Sequence, residues 1–270
     1  MATSDVEICN SALQKIGAET ITTLSDNTRR AALCNRQYDK VRKKLLRAHP
    51  WNFAIRRAAL VPVNNTISSV VAATDVFTAS ATLNVETGDR VYLTLSSGTI
   101  PTPLVASTDY YVIKIDSTTF KLATTAQNAN SGTQIDITTE AAFSATMFLR
   151  GSFEYDVQFF VPSDYIRGIR AEDKSTDWKI EGGNLLANES EFYLLYISNI
   201  TDTTKFDPQF DELFSLMLAH ELSYSLVQSL ELQRSLKEEI KEALRDARSF
   251  DAQEGTPEEL ETSEWLLARQ

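Results

Sequence analysis

Residues 48–60, AHPWNFAIRRAAL, place a proline and two aromatic residues directly after a run of basic, helix-forming residues. Pro50 disfavours helical backbone at His49, so a helix has to stop there. Reading backward, Ala31, Cys34, Tyr38, Val41, Leu45 and Ala48 recur at three- and four-residue steps. That is the single buried stripe of an amphipathic helix beginning near Asp26. Arg29, Arg36, Lys40, Lys43 and Arg47 fall on the opposite face by the same count. Reading forward, Trp51, Phe53 and Ile55 alternate with Asn52, Ala54 and Arg56, which predicts a half-buried strand. Trp51 and Phe53 are therefore expected to anchor the helix end in the core, in preference to touching another subunit.

Further out, Ser4-Asp5-Val6-Glu7 has the spacing of a capping box and predicts a helix running to about Gly17. From about Asn64 to Phe148 the composition shifts to Thr, Ser, Ala and β-branched residues, with turn signals at Thr87-Gly88-Asp89, Ser97-Gly98 and Ser131-Gly132. This predicts a small all-β module. Beyond Gly151, FEYDVQFFVP, DYIRGIRA and EFYLLYIS read as strands, and DWKIEGGNLLA as a hairpin turning at Gly182-Gly183. Asp207-Pro208 opens a helix that is apolar nearly all round and so is expected to be buried, and Leu232 to Phe250 mark one more amphipathic helix. The expected class is α+β: a helical body with a small antiparallel sheet over residues 1–63 and 150–255, an inserted all-β domain over 64–149, and an acidic tail over 256–270.

The chain has 270 residues and a formal net charge of -11. That balance argues against a general nucleic-acid binder. Its distribution is uneven: ten Lys and Arg face one acid, Asp39, between Arg29 and Arg57, whereas eleven acids face five basic residues between Glu231 and Glu264. No stretch approaches eighteen consecutive apolar residues, so no membrane segment is expected, and MATSDVEICN lacks the regions of a signal peptide. Synthesis in a cytoplasm is the expectation.

Cys9 and Cys34 lack metal-site spacing, and LAHELSYS carries Tyr224 where a zinc-protease motif needs its second histidine. Glu172, Asp173 and Asp177 in AEDKSTD fit a solvated loop better than a cation site. No nucleophile with its base, phosphate loop or dinucleotide fingerprint stands out. Neither a metal, a cofactor nor an enzymatic activity is expected.

The stretch ICNSALQKIGAETITTLSDNTRRAALCNRQYDKVRKKLLRAHPWNFAIRRAAL resembles the opening of tail tubular protein A, the head-to-tail adaptor of short-tailed bacteriophages. FFVPSDYIRGIRA, IEGGNLLAN and FDPQFDELFSLMLAHELSYSLVQS are similar to later segments of that family in the same order, so the resemblance covers about residues 5–60 and 152–255. The insert departs from the basic family pattern: GDRVYLTLSSGTIPTPLVASTDYYVIKIDSTTFKLATT is similar to a β module recurring in phage virion proteins, with Ile100-Pro101 at its turn.

The resemblance implies a structural virion protein. Copies form a ring, usually a dodecamer, between the portal and the tail nozzle, and DNA passes through the middle without tight binding. The α+β class then reads as a helical adaptor body with an inserted module, which could serve as decoration or as a dock for tail fibres. Arg36, Lys40, Lys43 and Arg47 are the candidate contacts to an adjacent subunit or the portal; a solvated face and a DNA contact are the other readings. Trp265, Leu266 and Leu267, behind an acidic spacer, are either a loose end or a docking hook for the portal. The main alternative function is a nucleic-acid-binding protein that uses the basic second helix.

Overall fold

The computed structural model describes residues 4–139, 143–151 and 153–254, which hold five α-helices and twelve β-strands. They divide into two compact units: residues 4–56, 164–169 and 196–254 form one, and residues 57–163 with 170–195 the other.

The first unit is built around a buried helix. Helix α1 (Asp5–Lys15) starts where the Ser4 hydroxyl accepts the Glu7 amide at 3.3 Å, and ends just before Gly17, whose φ of +69° suits a residue without Cβ. Helix α2 (Arg29–Ala48) is capped by Thr28, whose hydroxyl accepts the Ala31 amide at 3.2 Å. In the loop before it, the Asp26 carboxylate accepts both the amides and the hydroxyls of Thr22 and Thr23 at 2.7–3.1 Å. At its far end His49 is extended, as the following proline requires. Helix α4 (Pro208–Leu226) opens with Asp207 accepting the Gln209 amide and proline in the first turn. It packs against α1, α2 and α5 (Leu230–Gln253), which explains why Phe210, Leu213, Phe214, Leu216, Leu218 and Leu222, spread over most of its circumference, are all buried.

The second unit contains a closed antiparallel barrel of order β2-β3-β6-β5-β4-β7. Its strands are β2 (Asn64–Val71), β3 (Val76–Ala79), β4 (Arg90–Gly98), β5 (Asp109–Lys114), β6 (Thr119–Ala123) and β7 (Phe143–Leu149), with short helix α3 (Ala126–Ser131) after β6. β7 returns to β2, setting Asn64 opposite Phe148 and Ile67 opposite Ala145. Closure leaves no unpaired edge for aggregation. Alternate residues point inward, so Ile67, Phe77, Val91, Leu93, Val112, Phe120 and Met147 fill the interior. A three-stranded sheet of order β10-β11-β8 follows, from β8 (Val157–Phe160), β10 (Trp178–Glu181) and β11 (Asn184–Ala187). The β10–β11 turn has positive φ at both Gly182 and Gly183, the conformation a two-residue hairpin turn favours. A third sheet has the order β1-β12-β9, from β1 (Ile55–Leu60), β12 (Phe192–Ser198) and β9 (Tyr165–Ala171).

The expected class, a helical adaptor body with a small sheet and an inserted all-β domain, is corrected by this architecture. The molecule is sheet-rich, with a closed barrel, two further three-stranded sheets and five helices. Long helices such as α2 and α4 repeat their periodicity over several turns and dominate a sequence reading. Strands of four residues, such as β8, β10 and β11, offer barely two alternations each. The strand expected at Trp51–Phe53 is also corrected: Asn52–Ala54 is a 3-10 turn and β1 starts at Ile55. The turn is closed by the Ala54 amide donating to the Trp51 carbonyl at 2.9 Å. Ala48 is exposed, and Leu46 takes its place in the buried stripe of α2.

Candidate functional site

The basic face of α2 follows from helical geometry. With Cys34, Tyr38, Val41 and Leu45 turned inward, residues 36, 40 and 43 lie one turn apart on the outer side and are exposed. Their neighbours are ion-paired. Arg30 pairs with Glu19 at 2.7 Å, Lys44 with Glu221 at 3.6 Å, and Arg42 with Asp39 at 3.1 Å. Arg47, also exposed, donates to the Ile166 carbonyl at 2.8 Å. The side chains of Arg36, Lys40 and Lys43 have no ion pair or hydrogen bond among the described residues. Of the four cations singled out in the sequence, three thus share an unsatisfied stripe and one is spent on the chain's own backbone.

Arg42 was not singled out, and its sequence position gives little signal because it sits among exposed cations. It is 4% exposed and donates to Asn199 Oδ1 at 3.2 Å, while its Nε has no partner. Its role is internal.

Trp51 and Phe53 are brought together. Trp51 is 1% exposed, its indole N–H donates to the Leu45 carbonyl at 3.0 Å, and its ring meets Phe210 edge-on at 5.2 Å. Phe53 contacts Phe206 and Phe210, so the pair closes the end of α2 over the start of α4. A latch missed in the sequence reinforces this end. Asp251 accepts the Asn52 amide at 2.8 Å and lies 2.9 Å from His49 Nε2, and its carbonyl accepts the Asn52 side-chain amide. Trp265, Leu266 and Leu267 lie outside the described residues.

Among the described residues, no group of three or more His, Cys, Asp or Glu side chains could hold a metal ion. Cys9 and Cys34 are both buried, and hydrogen bonding to Cys34 together with burial pushes the Cys9 thiol above its ordinary range. A thiol held protonated in this way is a poor nucleophile. Glu172, Asp173, Glu189 and Glu191 line an open groove of about 310 Å³, formed where the loop after β9 meets the loop after β11. The Asp173 carboxylate accepts the Ser175 amide and hydroxyl, which lowers its pKa as expected for a self-contained turn. Glu172 and Glu189 have no cation within pairing distance among the described residues. No helix of the described chain is long and apolar enough to cross a membrane. No known family model matches the chain, and no curated protein matches it.

Proposed function

We propose that the chain is a structural virion protein that assembles as a ring adaptor between a portal and a tail nozzle, leaving a central passage for DNA. The observation that carries this reading is the stripe Arg36, Lys40 and Lys43: three exposed cations on a helix whose other side is locked into a core, with no ion pair among the described residues, since Asp39 between them pairs with Arg42. A rigid helix presenting unsatisfied charge suits recognition of a complementary surface. The resemblance of residues 5–60 and 152–255 to tail tubular protein A supplies the identity of that surface: an adjacent subunit or the portal.

The same stripe suits a phosphate backbone, which makes nucleic-acid binding the second reading. The net charge of -11 weighs against it, because the chain's excess of acids repels the phosphate backbone within the screening length and so opposes the approach of DNA. Negative-stain imaging of the chain mixed with portal rings separates the two. A closed ring stacked on the portal is the expected result. Bare portals, together with a salt-dependent shift of duplex DNA by the chain, would replace the adaptor reading with the nucleic-acid one.

A further inference from the structure

We infer that the α2 stripe of one copy docks on the acidic groove of Glu172, Asp173, Glu189 and Glu191 of a second copy, so that copies associate head to tail. This rests on the assembly reading above and names the surface that answers the stripe. Arg36, Lys40 and Lys43 have no acidic partner, and Glu172 and Glu189 have no basic one, among the described residues. By contrast, three of the barrel's cations are neutralised where they stand: Arg150 meets Asp109 at 3.2 Å and lies over the Tyr92 ring, Arg90 lies 3.7 Å from Asp109, and Lys114 meets Glu86 at 2.7 Å. The stripe spans seven residue steps of helix, from Arg36 to Lys43, about 10 Å. Exposed carboxylates carried by two loops around an open groove can take a row of that kind from the side. Because the stripe and the groove are different surfaces, the contact is heterologous, the type that closes rings or extends filaments.

Charge swapping tests the pairing with the full chain. Lys40→Glu with Lys43→Glu reverses the sign at two of the stripe's three cations; Glu189→Lys with Glu191→Lys reverses it along the loop after β11; the fourfold variant again gives these four positions opposite signs in every copy and returns the net charge to -11. Association is read by sedimentation velocity, alone and with portal rings present. Each pair of substitutions is expected to weaken association about tenfold or more, and the fourfold variant to recover it. The groove variant is the sharper arm, since it lowers the overall negative charge and would associate better, not worse, if only general repulsion mattered. If the wild type assembles but the fourfold variant fails to recover, or the groove pair changes nothing, the docking is refuted while the adaptor reading stands; a stripe pair that changes nothing refutes the docking and also removes the observation that carries the adaptor reading. A wild type that stays monomeric both alone and beside the portal refutes both. If the stripe variant loses duplex DNA binding while the groove variant behaves as wild type, the stripe serves a polyanion and not a second copy.

Discussion

The helical unit and the barrel solve the problem of charge in opposite ways. On the barrel, Arg90, Arg150, Asp109 and Tyr92 form a closed surface network in which each guanidinium has an acid or a ring. On the helical unit, hydrogen bonds between distant segments fix the backbone, as in Ser198 to the Ala54 carbonyl and Asn52 to Asp251, yet one face of α2 is left unanswered. The barrel is also local: all six strands come from residues 64–149, whereas the helical core draws on chain ends about 200 positions apart, such as Arg248 and the Ala48 carbonyl. The contrast teaches that surface charge left unpaired on a rigid element marks where a partner belongs, and that a self-satisfied surface does not.

The largest expected effects test the two cores. Trp51→Ala removes a buried ring and its hydrogen bond to Leu45, and Phe77→Ala removes the ring stacked on Phe120 inside the barrel at 5.4 Å. Each should lower unfolding free energy by about 3–5 kcal/mol in urea titrations. A cost below about 1 kcal/mol at either site would break the account of that core. Next, a Cβ at Gly151 would lie 2.1 Å from the Tyr155 carbonyl oxygen, so Gly151→Ala forces the backbone apart and should cost about 1–3 kcal/mol. Ser198→Ala leaves the buried Ala54 carbonyl without its donor and should cost about 1–3 kcal/mol by the same assay.

Smaller effects sharpen the contrast at the surface. Replacing Arg36, Lys40 and Lys43 together by Gln should shift stability by no more than about 0.5 kcal/mol, because these side chains make no ion pair or hydrogen bond among the described residues. A larger loss would make the stripe part of the fold. The smallest effect concerns Asp26. Hydrogen bonds from the Thr23 hydroxyl, and from the amides and hydroxyl around it, hold this carboxyl far below its ordinary range. A carboxyl with a lowered folded pKa stabilises at pH above its unfolded value near 3.8, and that contribution fades as pH falls toward the folded value. Asp26→Ala should therefore lower Tm slightly at neutral pH, and the gap to wild type should close in strong acid. A gap independent of pH would assign the effect to something other than the charge.

Much of the helical unit was legible because its signals are local. Ser4 and Asp207-Pro208 mark helix starts through their own hydrogen bonds, Pro50 marks a stop, and the all-round apolar character of α4 announced its burial. The helix expected from about Asp26 starts at Arg29, because the Asp26 carboxylate serves Thr22 and Thr23 in the loop and Thr28 does the capping. What was not legible depends on contacts between remote segments. The Asp251 latch joins positions 199 apart in sequence, so nothing near Asn52 signals it. The acidic groove was visible only as its first half, in residues 172–177; Glu189 and Glu191 join it because β12 brings the second loop alongside. The weight of sheet was underestimated because short strands carry little periodicity.

The most direct test of the central claim, that this chain builds an assembly through its helical unit, is its mass by light scattering with and without a portal ring. The account predicts that the 30.2 kDa chain adds to the portal as a closed ring of many copies, and that reversing Lys40 and Lys43 prevents it. A mass that stays at one chain beside the portal, with duplex DNA shifted instead, would contradict the account and make the basic helix a nucleic-acid surface.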